Sequence, residues 1–282
     1  MKAILGMGVL IVSGSFLLTA CSTEKTDSVQ QNTTVIHGTP AVSQVSGTAL
    51  SPQSSTQYFK VKSEQAHYTL PACEGKLCPD ISIQRLNTSD DWVNQFLDQK
   101  IRGLSQGYGE FNPDLTLQQI VDRVVAGSNE SVQKGWAGAP YTLKVQAESL
   151  GPRGLRLLQF KINSSFYTGG AHGGAINQYY LLDIVQQRQV QLDDLLIDGQ
   201  RQSLRDLVYD AFTAWVKKTS PETDLKTYET TWKFILTQNI ELNPAGLVFH
   251  YGQYEIGPYS SGMPEFTIPY AKLSGIIKPE YL

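Results

Sequence analysis

Apolar residues recur at two spacings along the chain beyond about residue 56, and these spacings predict its secondary structure. Between Ile81 and Leu86 apolar and polar residues largely alternate, which is typical of a half-buried strand. The next apolar residues share one face of a helix: Trp92, Val93, Phe96, Leu97 and Ile101. We expect that helix to begin after the capping residues at 87–90.

The same two spacings predict the remaining elements. Strands are expected over 58–70 (two strands or a hairpin), 141–148, 155–166, 175–184, 246–251 and 265–268. Helices are expected over 115–125, 200–218 and 271–277. Strands interleaved with helices, without regular βαβ units, indicate an α+β fold with antiparallel sheets and packed helices.

The first 20 residues have the composition of an export signal. Lys2 precedes an unbroken run of apolar and small residues from Ile4 to Phe16, which is too short for a mature membrane-spanning helix. The sequence Leu18-Thr19-Ala20-Cys21 resembles the lipobox of bacterial lipoproteins, in which the cysteine is lipidated after cleavage. We expect residues 1–20 to be a lipoprotein signal peptide and Cys21 to anchor the chain to a membrane. An ordinary cleaved signal with an incidental cysteine is the alternative.

Residues 21–55 are expected to form a flexible linker behind the lipidated cysteine. Residues 22–55 are rich in Ser, Thr, Gln and Val and contain no aromatic residue, so they cannot bury enough apolar surface to offset their ordering entropy. By the sorting rule of Gram-negative lipoproteins, Ser22 in place of aspartate suggests the outer membrane, at its periplasmic face or at the cell surface.

Charge and motifs narrow the function. The formal net charge is −3, so there is no basic footprint and nucleic acid is not an expected partner. The sequence contains no nucleophile elbow, phosphate-binding loop, paired-histidine metal motif or dinucleotide fingerprint. We therefore assign no catalytic residue, no metal and no cofactor.

Two cysteines remain once Cys21 is assigned to the lipid. Cys73 and Cys78 flank a short turn that contains Gly75, and in an exported chain such a pair is expected to form a disulfide. A zinc site and a redox pair are the alternatives. A lone pair of cysteines is a poor zinc site, and the spacing is not the Cys-x-x-Cys of redox enzymes.

Two loops carry the candidate binding residues. In the first, Tyr167 precedes a Gly-Gly-Ala-His-Gly turn that contains His172; this turn fits a structural reversal, a partner-binding loop, or a catalytic or metal site. In the second, Tyr254, Glu255 and Tyr259 lie around Gly257 and Pro258. Tyrosines on a restrained loop suit recognition, and a carboxylate could contact a cationic partner. The alternative is a rigid corner in which Glu255 accepts backbone N–H groups.

These loops also carry a family resemblance. Residues 165–173, 179–183 and 191–195 resemble the start of the C-terminal domain of the anti-sigma factor RsiV (domain of unknown function 3298), and residues 254–262 and 265–270 resemble its closing signature. The preceding strands and the helix at 92–101 are similar to its usual companion (domain of unknown function 4163). The resemblance implies two small α/β sandwich-like subdomains, a companion domain over 56–165 and an RsiV-like domain over 166–282.

The resemblance also implies a function, because RsiV uses this extracellular region as a receptor for lysozyme. Since the apolar N-terminal stretch is expected to be cleaved, we do not expect control of a sigma factor by RsiV's mechanism. The leading hypothesis is a lipid-anchored, non-catalytic envelope protein that binds a lysozyme-type muramidase or peptidoglycan. The alternative is an envelope hydrolase or an accessory to peptidoglycan modification.

Overall fold

Two β-sheets organise the part of the chain that the computed structural model describes, residues 59–72, 78–108, 111–136 and 138–282. The strands of the larger sheet are consecutive in space: β1 (Val61–Gln65), β2 (Asp80–Thr88), β3 (Thr142–Arg153), β4 (Leu157–Tyr167), β5 (Gly174–Asp183) and β6 (Arg188–Val190). The smaller sheet consists of β7 (Ile240–Asn243), β8 (Gly246–His250) and β9 (Glu265–Ile268). The predicted signal peptide and linker lie outside the described residues.

Six helices accompany these sheets in the described residues. They are α1 (Asp91–Leu104), α2 (Leu117–Gln133), α3 (Leu192–Leu195), α4 (Arg201–Thr219), α5 (Leu225–Thr231) and α6 (Tyr270–Leu273). Short 3-10 turns cover Tyr259–Ser261 and Pro279–Tyr281. The predicted α+β fold with packed helices is confirmed.

One strand pair of the larger sheet runs parallel. Residues 80–84 of β2 pair in parallel with residues 142–146 of β3, whereas the other neighbouring strands are antiparallel. A parallel neighbour requires a long crossover, and here α1 and α2 provide it.

Helix α2 runs eight residues beyond the predicted end at Val125. Its last two turns are buried through Ser128 and Ser131 rather than through apolar residues. The Ser131 hydroxyl lies 2.6 Å from the Tyr141 hydroxyl, and the Tyr141 backbone N–H donates to the Ser128 hydroxyl at 3.0 Å. A search for apolar periodicity misses such a face because its packing is polar.

The prediction of two strands or a hairpin over 58–70 is wrong, because residues 59–72 contain only β1. The chain after β1 is bound by a helix side chain instead. Gln118 of α2 accepts from the Thr69 N–H and donates to the Thr69 carbonyl, both at 2.8 Å. The helix expected over 271–277 is also shorter, since α6 ends before Gly275, whose φ of +76° leaves the helical region.

Two apolar cores lie on opposite faces of the larger sheet. Adjacent residues alternate between them: Leu158 and Leu182 join the core that contains residues of α1 and α2, while Leu157 and Leu181 join the core that contains residues of α4 and the smaller sheet. The boundary expected at residues 165/166 lies inside β4, which pairs with β3 and β5 at both residues. None of the described helices is both long and apolar enough to span a bilayer.

Candidate binding site

Three of the candidate residues, distant in sequence, meet on one surface of the fold. The ring of His172, in the turn between β4 and β5, stacks on the ring of Tyr259 with centroids 3.9 Å apart. The His172 Nε2 lies 3.1 Å from the Tyr254 hydroxyl. The rings of Tyr254 and Tyr259 are 5.7 Å apart. The two loops singled out in the sequence therefore form one site.

Glycines shape the β4–β5 turn for two different reasons. Gly169 and Gly170 adopt φ values of +94° and +92°, which other residues rarely reach. Gly173 is required by space, since a Cβ there would lie 2.7 Å from the Phe166 carbonyl oxygen. The last candidate, Tyr167, donates from its hydroxyl to the Gly170 carbonyl at 3.2 Å; in the described part of the chain its side chain makes no hydrogen bond to the other candidates.

The second loop holds Tyr254 in a strained conformation. Its φ is +64°, in the left-handed region that is unfavourable for an aromatic residue, and 48% of its surface is exposed. The Glu255 carboxylate closes the turn by accepting from the Gly252 N–H at 2.6 Å. Partial burial raises the pKa of Glu255, and that hydrogen bond only partly offsets the effect. Glu255 thus has the contacts of a structural corner, while Tyr254 is exposed and Tyr259 is half-buried.

The His172 side chain is bonded on both nitrogens. Its Nδ1 lies 2.9 Å from the Gly173 carbonyl oxygen, which can only accept, so Nδ1 donates this bond, and Nε2 lies 3.1 Å from the Tyr254 hydroxyl. Among the described residues, no group of three or more His, Cys, Asp or Glu side chains is placed to hold a metal ion. These two contacts fix the orientation of the His172 ring at the surface.

Two aromatic residues of this surface were not identified from the sequence. Trp232 stacks on Tyr254 with centroids 6.5 Å apart, and Tyr108 is 58% exposed. The Tyr108 hydroxyl lies 2.8 Å from the Ala175 carbonyl and 3.3 Å from Gln253 Oε1. Tyr108 stands between Gly107 and Gly109 in the sequence. A tyrosine beside turn-forming glycines is the same pattern that singled out Tyr254, so it could have identified Tyr108. We call the five residues Tyr108, His172, Trp232, Tyr254 and Tyr259 the aromatic face.

A cleft of about 470 Å³ opens beside the aromatic face. Its lining residues come from the free part of β5, from the segment before β7 and from the 252–255 turn: Tyr108, Ala175, Ile176, Asn177, Gln178, Thr237, Asn239, Gly252, Gln253, Tyr254 and Glu255. Another cleft, of about 410 Å³, lies near α1, but its Arg85 is already bonded to Asp98 and Glu64. The cleft beside the aromatic face is therefore the better candidate.

Two of the predicted modification sites cannot be placed. Cys78 is half-buried shortly before β2, but Cys73 and Cys21 lie outside the described residues. The disulfide and the lipid anchor stay predictions.

Comparisons with known proteins place part of this region in a family. Residues 193–271 match the model described as protein of unknown function (DUF3298), so the chain carries a DUF3298 domain. The match includes the turn with Tyr254 and Tyr259 and begins after the turn with His172. No protein with a curated function matches the chain significantly.

Two crystal structures share the fold. A DUF3298 family protein from Pseudomonas aeruginosa PAO1 superposes with a TM-score of 0.62 at 23% identity, over 79% of this chain and 96% of its own. A member of the same family from Bacteroides fragilis NCTC 9343 superposes with a TM-score of 0.53 at 22% identity, over 79% of this chain and 94% of its own. At these identities the likeness extends to the fold alone.

Proposed function

We propose that this protein is a non-catalytic binding module of the bacterial cell envelope that binds a macromolecular partner through the aromatic face. The observation that carries the proposal is the strained, exposed Tyr254, which is held against His172 by a 3.1 Å hydrogen bond and beside Tyr259. Backbone strain costs about 1–3 kcal/mol per residue and persists where the surroundings enforce it, commonly at functional sites.

The physical properties of the aromatic face suit recognition. Large aromatic rings provide much of the contact energy in interfaces, and rings that are already oriented lose little conformational entropy on binding. Tyr259 and His172 are stacked, and Gly257 keeps the adjoining loop against the core, because a Cβ there would lie 2.9 Å from Trp215 and from the Tyr228 hydroxyl. A partner would therefore meet a preformed surface.

The RsiV resemblance supplies the candidate partners. We propose that the DUF3298 domain is of the RsiV C-terminal type, that its companion over 56–165 is a domain of unknown function 4163, and that the partner is a lysozyme-type muramidase or peptidoglycan. We further propose that Cys21 carries the lipid that holds the module at the outer membrane, and that Cys73 and Cys78 form a disulfide.

The decisive experiment measures binding by the full chain, purified in detergent, to lysozyme and to isolated peptidoglycan. The test variant combines Tyr254→Gly with Tyr259→Ala, because glycine adopts a φ of +64° freely and so preserves the turn. We expect binding to at least one partner and a loss of at least tenfold in the variant, in line with the cost of removing central aromatic contacts.

The matched control is Trp136→Ala, which removes a 68% exposed aromatic residue from the end of α2 and should leave binding unchanged. No binding by the wild-type chain to either partner would refute the proposal, as would unchanged binding by the double variant.

The lipid anchor has its own test, metabolic labelling with palmitate in the bacteria that express the protein. The label should mark the wild-type chain and not Cys21→Ser; equal labelling of the two would refute the anchor.

A further inference from the structure

We propose that the cleft beside the aromatic face binds an uncharged saccharide unit of a glycan strand. This inference rests on the proposed function and deepens it, since it selects the glycan of peptidoglycan as the ligand of this site. It is carried by the neutral lining of the cleft, by hydrogen-bonding groups with unused capacity, and by tyrosines at its edge.

The lining is polar but almost uncharged. No lysine, arginine or histidine is among the described residues that line it, and Glu255 is its one acidic residue. The Glu255 carboxylate accepts from the Gly252 N–H at 2.6 Å, and burial raises its pKa above the ordinary value. An anionic ligand would lose hydration without meeting a counter-charge, whereas a neutral ligand rich in hydroxyl and amide groups faces no such penalty.

The wall of the cleft is already held rigid by side-chain amides. β6 covers β5 only at residues 181–183, so the earlier part of β5 lacks a strand neighbour on that side. Asn239 accepts from the Tyr179 N–H and donates to the Asn177 carbonyl, both at 2.8 Å, and Gln253 accepts from the Ala175 N–H at 3.0 Å. These bonds occupy the backbone groups that an added peptide strand would need, so the edge disfavours strand addition.

Other polar groups of the lining keep capacity for a ligand. Within the described part of the chain, the Gln178 side chain makes no hydrogen bond, and neither the Gln253 Nε2 nor the Glu255 Oε1 is hydrogen-bonded. No described side-chain nitrogen or oxygen is both buried and unpaired, so these atoms are accessible to solvent. Amides that can both donate and accept match the hydroxyl and acetamido groups of a sugar.

Two exposed rings stand at the edge of this polar lining. Tyr108 is 58% exposed and Tyr254 is 48% exposed. The face of an aromatic ring packs against the C–H face of a sugar ring, while the neighbouring amides bond its hydroxyls. The volume of about 470 Å³ lies in the range of about 300–1,000 Å³ for small-ligand sites and accommodates a short oligosaccharide.

The test is calorimetric titration of the full chain, in detergent, with chitotetraose, a neutral oligosaccharide of N-acetylglucosamine. We expect saturable binding that Gln178→Leu weakens at least tenfold, because the change removes an amide and keeps the side-chain size. Since Gln178 makes no hydrogen bond within the described residues, the variant should melt at the wild-type temperature. Gln133→Leu, at the exposed end of α2, is the matched control and should bind as the wild type does.

The outcomes separate this inference from the proposed function. No binding of chitotetraose, or equal binding by Gln178→Leu, overturns the saccharide site. If lysozyme nevertheless binds and the double variant at Tyr254 and Tyr259 abolishes that binding, the proposed function stands and only the saccharide site falls. If neither lysozyme, peptidoglycan nor chitotetraose binds, both are refuted.

Discussion

The two ends of strand β5 differ in burial and in hydrogen bonding. At its C-terminal end, Asp183 is fully buried and its carboxylate is saturated with hydrogen bonds. At its N-terminal end, Gly173 leads back to the exposed His172 and the strained Tyr254. One strand thus connects a turn built for stability with a turn built for exposure.

The Asp183 end shows what a structural turn requires. The Asp183 carboxylate accepts from the N–H groups of Val185 and Gln186 at 3.0 and 2.9 Å, and from Arg156 Nε at 2.9 Å. Burial alone would raise the pKa of Asp183, but hydrogen bonds from Gln186, Arg156 and Val185 outweigh it and the pKa is lowered. The Asp183 carboxylate is therefore fully used by groups within the fold, so it is not available to a ligand.

The aromatic end shows the reverse. Exposed rings, a left-handed tyrosine and polar side chains with unused capacity are features that cost stability and gain nothing without a partner. The difference suggests that stability and recognition are divided between the two ends of the same sheet. Three substitutions test this division.

The largest expected effect is at the structural end. Asp183→Ala removes the acceptor of two backbone N–H groups and leaves Arg156 unpaired, so we expect a loss of about 2–4 kcal/mol in the free energy of unfolding. Chemical denaturation measures this loss. Asp198→Ala is the control, because Asp198 is exposed and makes no hydrogen bond in the described part of the chain. Equal stability of the two variants would contradict the structural role.

A smaller effect is expected at the turn below the aromatic face. Gly173→Ala places a Cβ 2.7 Å from the Phe166 carbonyl oxygen, so the turn must shift, at a cost of about 1–3 kcal/mol. The shift should also weaken partner binding, since His172 and Tyr259 both bond the Gly173 carbonyl. Gly138→Ala, where a Cβ meets nothing within 4 Å, should change neither property. If Gly173→Ala lowers stability but leaves partner binding unchanged, the turn does not contribute to the binding site.

The smallest effect is a dependence on pH at Glu255. Because burial raises the pKa of Glu255 above its ordinary value of 4.5, the folded state favours the protonated form, and this group's contribution to stability falls as pH rises through and above that value. Glu255→Gln keeps an acceptor for the Gly252 N–H without the charge. At pH 7 we expect its melting temperature to exceed the wild type by about 1–3 °C. The difference should vanish at pH 4; a difference that persists there would have another cause.

Much of the fold could be predicted because its elements carry their periodicity locally. The predicted helix over 200–218 corresponds to α4 at Arg201–Thr219, and the predicted strand at 265–268 corresponds to β9. The extension of α2 could not be predicted, since Ser128 and Ser131 become a buried face only when Tyr141 packs against them. The short β7 was missed as well, although its four residues alternate between apolar and polar as those of β9 do.

The candidate site divides in the same way. The sequence by itself determined that tyrosines and a histidine sit on glycine-rich turns, because glycine placement is a local requirement of the backbone. Only the tertiary structure decided that His172 stacks on Tyr259, that Trp232 and Tyr108 join them, and that Glu255 faces its own turn. These contacts join residues up to 145 positions apart, and no local pattern encodes a distance that depends on how two sheets and their connecting turns pack.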